Sequence, residues 1–178
     1  MKIITADIYA LQIPFVTSFR HYLGTRDYCD SIVVKLTTDT GIVGWGEGVP
    51  RPYVTGETPV SCVQHIKSHL LAKLLGFDLF TIDPHDPWEH FDILLPDLQN
   101  EKGIVWHASR CAVELALLDC LYRCFHQSFH TILPPISDKV TYSAVIGAGD
   151  SAKTEALAQR FKEAGFQHVK MKVSKLED

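Results

Sequence analysis

The residues with the clearest potential for chemistry are two lysines near the end of the sequence, Lys170 and Lys172. Side chains of a β-strand alternate between its faces, so both lysines share one face, while Val169, Met171 and Val173 share the other. We expect the apolar face to pack under the preceding helix and the two amines to point together into a sheet or barrel. Partial burial and mutual repulsion there favour a neutral amine that acts as a general base, while its cationic partner polarises a substrate carboxylate. The alternative is a solvated strand face, and only the surrounding sequence separates the two interpretations.

A second group, formed by Cys120, Cys124, His126 and His130, has residue types that bind zinc. The two cysteines would share a helix face, with the histidines on a following turn. Structural zinc sites usually separate their ligand pairs by a longer loop. Thiols that pack inward at a helix end, with surface histidines beyond, fit the residues with fewer assumptions. The sequence therefore favours a structural role here, and we predict no metal ligand in this chain.

The first part of the sequence predicts a small antiparallel sheet. Strands are expected at residues 2–13, 31–36 and 42–47. The last two are joined by a hairpin turn that closes on Gly41. Residues 14–27 show no period and are predicted to form a mobile loop, and residues 48–56 form a second loop rich in glycine and proline.

Helices and then a different pattern follow the sheet. Helices are predicted at residues 57–75, 86–95 and 105–125. Asp119 lies on the edge of the apolar stripe of the third helix, and we expect a structural carboxylate that bonds to backbone. Beyond Pro134 and Pro135 the chain reads as a strand, a helix and a strand, at residues 140–146, 151–164 and 169–173. Such a βαβ unit has parallel strands joined by a right-handed crossover.

Composition and charge exclude several classes of protein. Of the 178 residues, 46% are apolar and 21% are charged, as in an ordinary folded domain. There is no run of about 18 apolar residues and no basic block on a net charge of −4. We therefore predict neither a membrane nor a nucleic-acid partner. The N-terminus reads as a strand and not as a signal peptide, and five cysteines, an odd number, suggest reduced thiols, so the predicted location is cytoplasmic.

Several motifs resemble one known family. The predicted hairpin, Gly44-Trp45-Gly46-Glu47 and Tyr53-Val54-Thr55-Gly56-Glu57-Thr58 resemble the N-terminal capping domain of the enolase superfamily, in its mandelate-racemase and muconate-lactonizing-enzyme branch. The run from Ala112 to Asp119 resembles a helix motif of that domain, and Lys170-Met171-Lys172 resembles the K-x-K at the end of the second barrel strand. The resemblance covers nearly all of the chain. It implies an α+β capping domain over residues 1–135 and the first two strands of a truncated (β/α) barrel over residues 136–178.

The resemblance also implies a reaction. Family members abstract a proton α to a carboxylate, and Mg²⁺ stabilises the enediolate that results. Lys172 matches the base on one face of a small carboxylate substrate, and Lys170 matches the lysine that holds the carboxylate. Among the implied reactions, racemisation or epimerisation is favoured first, and cycloisomerisation and dehydration are the next alternatives.

Two loops complete the implied site. Residues 14–27 and 48–56 match the loops that close over the barrel mouth and set substrate specificity. Four side chains on them become candidate substrate-binding residues, namely Phe19, Arg26, Tyr53 and Val54.

The sequence also departs from the family pattern. The three carboxylates that hold the metal lie on later barrel strands, so the Mg²⁺ ligands of the complete enzyme are expected beyond this chain. We therefore expect the chain alone to be inactive and the complete protein to be roughly twice as long. Val145 stands where some dipeptide-epimerising members carry a hydroxyl.

A non-enzymatic alternative remains open at this point. The chain could be an α+β interaction module that associates with itself through the unpaired strands of its βαβ unit. Exposed strand edges invite partners, so a homo-oligomer is expected under either interpretation.

Overall fold

The computed structural model describes residues 1–21, 24–96, 103 and 105–173. These residues form two compact units. The first unit contains Met1–Ile13 and Asp30–Pro135. The second contains the described residues of 14–29 and of 136–173.

A three-stranded antiparallel sheet begins the chain. Its strands are β1 (Ile3–His21), β2 (Gly24–Thr38) and β3 (Val43–Gly48), in the order β1-β2-β3. The turn between β2 and β3 closes on Gly41, whose φ of +84° suits glycine, and Thr38 N–H donates to the Ile42 carbonyl at 2.9 Å. The predicted sheet and hairpin are thus confirmed.

The prediction of a loop at residues 14–27 is wrong. The described residues of this segment continue β1 and β2 as extended strands. Pro14 misled the prediction, because proline usually interrupts a ladder. Here it lies on β1, which is an edge of the sheet, where a missing N–H need not face a partner strand. Ser18 also donates from Oγ to Asp27 Oδ1 at 2.5 Å, linking the two strands through their side chains.

Helices of the first unit follow the sheet. They are α1 (Pro59–His65), α2 (Leu71–Leu74), α3 (Trp88–Leu94) and α4 (His107–Cys124). A π-helical turn (Ile66–Leu70) joins α1 to α2, so the helix predicted at residues 57–75 exists with one irregular turn inside it. Thr58 and Ser61 form a capping box at its start, and Gly76 adopts a φ of +86° just beyond its end.

Helix α4 lies directly on β3. Gly44, Gly46 and Gly48 alternate along the buried face of the strand. A Cβ built on Gly46 would overlap the carbonyl oxygen of Ala112, and one on Gly48 would overlap that of Ala108. The glycines therefore allow a backbone-to-backbone approach that no other residue permits.

The exposed edge of β3 is covered by a side chain of α4. Trp45 N–H donates to Asp119 Oδ2 at 2.9 Å, and the other oxygen accepts from Arg123 Nε at 2.8 Å. The prediction that Asp119 is a structural carboxylate bonded to backbone is confirmed.

The second unit contains a parallel pair of short strands. Strand β4 (Ala144–Ile146) pairs with β5 (Val169–Met171), and α5 (Ser151–Glu163) connects them. Asp150 caps α5 by accepting from Lys153 N–H at 2.9 Å. The βαβ unit is as predicted, although both strands are shorter than the sequence suggested.

No helix among the described residues is long and apolar enough to cross a membrane.

Candidate active-site elements

Lys170 and Lys172 lie at the end of the second strand of the parallel pair. Lys170 is within β5, opposite Val145 of β4 in the parallel register. Lys172 follows the last residue of β5, and its N–H donates to the Ile146 carbonyl at 2.9 Å, so the ladder continues through it. Because strand side chains alternate, the two lysines and Val145 belong to one face of the pair. Lys170 is exposed and Lys172 is half-buried.

The opposite face of β5 does not pack as predicted. Val169, Met171 and Val173 are 42%, 58% and 64% exposed. Helix α5 packs instead over β4, where Ala144 and Ile146 are buried. One helix of 13 residues covers one strand of the pair, and it leaves the second strand open.

Two of the predicted substrate-binding residues lie on the distal part of the β1–β2 hairpin. Phe19 is half-buried on β1. The Arg26 guanidinium on β2 lies 5.6 Å from the centre of the Phe15 ring, and its Nη2 donates to the Tyr28 carbonyl at 3.3 Å. These contacts hold the arginine along the hairpin. Both residues belong to the same compact unit as the lysine pair.

The other two predicted residues lie on a loop of the first unit. Tyr53 and Val54 are 46% and 67% exposed. Val54 N–H donates to the Arg51 carbonyl at 2.8 Å, and Thr55 N–H donates to the same oxygen at 2.8 Å. The loop is therefore folded on itself and presents Tyr53 and Val54 at its tip.

Glu57, at the end of this loop, is a fully buried carboxylate. It accepts three hydrogen bonds from the start of α4, from Ala108 N–H at 2.7 Å, Ser109 N–H at 2.9 Å and Ser109 Oγ at 2.6 Å. Free N–H groups and the positive end of the helix dipole make a helix N-terminus a good place for a buried anion. Sequence reasoning missed this role because the cap and the helix are 50 residues apart along the chain.

A buried imidazole lies beside this carboxylate. His65 is 4% exposed and stacks between Trp106 and His69, with ring centres 4.5 Å and 4.9 Å away. Burial, assisted by His69, lowers the pKa of His65 to about 4 against the opposing charge of Glu57. His65 is therefore neutral at ordinary pH.

The zinc interpretation finds no support in the geometry. Cys120 and Cys124 are buried, whereas His126 and His130 are exposed. Burial raises the pKa of Cys120 to about 12, which disfavours the thiolate that a metal would need. Across the residues that the structure describes, no three side chains of His, Cys, Asp or Glu are close enough to hold a metal ion.

The three-stranded sheet and the helical cluster of the first unit define the class of protein. Residues 2–133 match the mandelate racemase / muconate lactonizing enzyme N-terminal domain family. The chain belongs to this family, and its predicted place in the enolase superfamily is confirmed.

Three relatives illustrate the similarity. The aromatic dipeptide epimerase of Herpetosiphon aurantiacus is 27% identical over 93% of this chain and 43% of its own length. The structure of muconate lactonizing enzyme from Mucobacterium Smegmatis, complexed with muconolactone, has a TM-score of 0.81 and 26% identity over 99% of this chain and 45% of its own. The structure of the dipeptide epimerase from Methylococcus capsulatus, complexed with Mg and the dipeptide L-Arg-D-Lys, has a TM-score of 0.80 and 26% identity over 99% of this chain and 47% of its own. The chain thus spans somewhat less than half the length of the relatives it matches.

Proposed function

We propose that this chain is the N-terminal part of a metal-dependent isomerase or lyase that removes the proton α to a carboxylate. The observation that carries the proposal is the lysine pair, Lys170 and Lys172, in the family context just described. Racemisation or epimerisation of a small carboxylate, such as a dipeptide or an acylated amino acid, leads, because a dipeptide epimerase stands among the relatives. Cycloisomerisation is the next candidate, because a muconate lactonizing enzyme is similar over the same span.

The lysines would divide the work of proton abstraction. We assign Lys172 as the base, because it matches the second lysine of the K-x-K motif that Lys170-Met171-Lys172 resembles. Lys170, on the same face of the strand pair, would hold the substrate carboxylate, so that negative charge developing on it is stabilised. Val145 would add an apolar wall beside Lys170.

Phe19, Arg26, Tyr53 and Val54 are proposed to line the substrate pocket. Phe19 and Tyr53 offer aromatic surface, and Val54 offers an aliphatic one. Arg26 would offer a cation, although its contact with Phe15 limits its reach. Substrate discrimination would then depend on the hairpin and on the Tyr53–Val54 loop.

Mg²⁺ is proposed as the cofactor of the complete enzyme. One similar structure is that of an epimerase complexed with Mg. When bound, the metal would supply positive charge to the enediolate, and its ligands would come from barrel strands that are not among the residues described here. For the same reason we propose that the 178-residue chain alone is inactive.

The α-proton itself provides the test. The complete protein that carries this segment is incubated in D₂O with Mg²⁺ and a panel of dipeptides and N-acylated amino acids, and loss of the α-proton signal is followed by NMR. We expect Lys172→Ala to slow this exchange about 10³-fold, the usual contribution of a general base. Lys162→Ala, a change of an exposed lysine on α5, serves as the matched control and should leave the rate unchanged.

Two results would contradict the proposal. Lys172→Ala with an undiminished rate would remove the base from its assigned position. Exchange catalysed by the 178-residue chain alone would show that the later barrel strands, with their metal ligands, are not required.

One observation favours the non-enzymatic alternative, an interaction module that associates with itself. The faces of the β4–β5 pair expose several apolar side chains, including Val145, Val169 and Met171. Self-association through this pair is proposed for the isolated chain, and analytical ultracentrifugation of the chain at several concentrations would detect it. Cytoplasmic location likewise remains a prediction.

A further inference from the structure

The loop that carries Tyr53 and Val54 is attached at both ends to the same residue of α4. At its start, Gly48 approaches Ala108 so closely that a Cβ would overlap the Ala108 carbonyl oxygen. At its end, Glu57 Oε2 accepts from Ala108 N–H at 2.7 Å. Loops whose two ends lie together and whose residues pack on one another are compact and often functional.

The stronger of the two attachments is Glu57. Its side chain has no exposed surface and accepts from two backbone N–H groups and from the Ser109 hydroxyl. Hydrogen bonds to an ionised group are about twice as strong as neutral ones. If these hydrogen bonds were lost, the buried carboxylate would have neither water nor protein partners. We therefore expect the three bonds to form and break together.

Hydrogen bonds inside the loop transmit this attachment to its tip. Thr55 Oγ1 accepts from the N–H of Glu57 at 3.3 Å and from that of Arg51 at 3.3 Å. The Arg51 carbonyl in turn accepts from Val54 N–H and Thr55 N–H. The chain of contacts therefore runs from α4 through Glu57 and Thr55 to the backbone of Val54.

We propose that Glu57 is a positioning residue for substrate specificity, because it fixes the Tyr53–Val54 loop to the first turn of α4. The inference rests on the proposed function, in which this loop forms part of the substrate pocket. Glu57 acts through the loop and does not touch the substrate. Weakening Glu57 then loosens substrate binding while proton abstraction at Lys172 proceeds normally once substrate is bound.

Hydrogen–deuterium exchange on the 178-residue chain tests the attachment without any need for activity. Glu57→Gln keeps the size of the side chain but sets an amide N–H₂ against helix N–H donors. We expect exchange at Val54 and Thr55 to become about tenfold faster, as loss of one charged hydrogen bond allows. Asp119→Asn is the matched control, because this carboxylate also bonds a backbone N–H beside α4, that of Trp45 on β3, and its other bond is to Arg123.

The control should lower overall stability without changing exchange in the loop. If both variants speed exchange in the loop equally, or if Glu57→Gln leaves it unchanged, the attachment is refuted. Ser109→Ala removes the hydroxyl bond to Glu57, together with the 3.3 Å contact of the same hydroxyl with Cys62 Sγ, and keeps both backbone N–H bonds. It is expected to speed exchange in the loop about threefold, so the test stands even if Glu57→Gln does not fold.

Kinetics of the complete protein test the consequence for substrate binding. Glu57→Gln should raise KM about tenfold and leave kcat within about twofold, as expected for loss of binding that is uniform between ground and transition state. A fall in kcat at unchanged KM would refute the positioning role. If the wild-type protein exchanges the α-proton of no substrate tested, the proposed function fails. The amide hydrogen–deuterium exchange of the loop still decides whether Glu57 fixes the loop.

Discussion

His65 is a buried imidazole whose ionisation should be visible in the stability of the folded chain. Its pKa is lowered to about 4, first by burial and then by the neighbouring His69. An unfolded histidine titrates at about 6.5, so between these two values the unfolded chain binds the additional proton. The free energy of unfolding should therefore fall as pH decreases from about 6.5 to 4, by at most about 1.4 kcal/mol per pH unit from this residue.

The contribution of His65 can be isolated by substitution. His65→Phe keeps a ring that stacks on Trp106 but cannot ionise, so urea unfolding between pH 4.5 and 7 should show a shallower dependence on pH. His130→Phe, a change of an exposed histidine, should keep the wild-type slope. Equal slopes for wild type and His65→Phe would mean that His65 is protonated in the folded chain without cost.

The roles of individual residues differ in how well the sequence predicts them. Lys170 and Lys172 could be found because strand alternation alone puts them on one face. Asp119 could be interpreted because it lies on the edge of a helical stripe. Glu57 could not, because nothing local indicates that a carboxylate caps a helix 50 residues later. Such a contact arises only when tertiary structure brings the loop to α4.

The interface between β3 and α4 depends on glycines, whose lack of a side chain lets the two backbones approach closely. Gly46 lies against the backbone of α4, and a Cβ there would overlap the Ala112 carbonyl oxygen and Ala116 N. Backbone atoms of a helix cannot move aside separately, so the strand and helix must part. We expect Gly46→Ala to lower the free energy of unfolding by about 3 kcal/mol or more, measured by urea denaturation.

A second glycine separates this steric effect from backbone conformation. Gly41 has a φ of +84° but open space around its Cβ position. Gly41→Ala should therefore cost only about 1 kcal/mol, the usual penalty for a left-handed alanine. A loss for Gly46→Ala no greater than that for Gly41→Ala would contradict the close approach of β3 and α4.

Hydrophobic periodicity predicted most helices and strands, and it failed where tertiary contacts determine the local structure. Helix α4 was found because its apolar residues repeat every three or four positions. The distal hairpin was missed because Pro14 and mixed polarity hide a strand that lies at the edge of a sheet. The π-helical turn Ile66–Leu70 leaves no sequence signal either, since the apolar stripe passes through it. The glycines of β3 carried a readable signal in their spacing of two, matched by Ala108, Ala112 and Ala116 at a spacing of four on the helix.

The two compact units differ in how much apolar surface they bury. The first has a continuous core that includes Ile32, Leu36, Phe91, Leu117 and Leu121. In the second, α5 has no buried residue and all of β5 is exposed. Apolar burial is the main source of folding free energy, so the second unit should open far more often than the first.

Limited proteolysis should reveal this difference and the proposed domain boundary after residue 135. Residues 136–143 are exposed throughout, and Lys139 lies within them. Trypsin is expected to cut there or in α5 first, leaving a persistent product that ends near Lys139, as identified by mass spectrometry. Chymotrypsin should give nearly the same boundary through Tyr142, which is 77% exposed, so that agreement between the proteases reflects structure and not cleavage preference. Early cuts within α1 or α4 would instead show that the first unit does not persist alone, because the amides of a helix with a buried face are cleaved only when the unit that contains it opens.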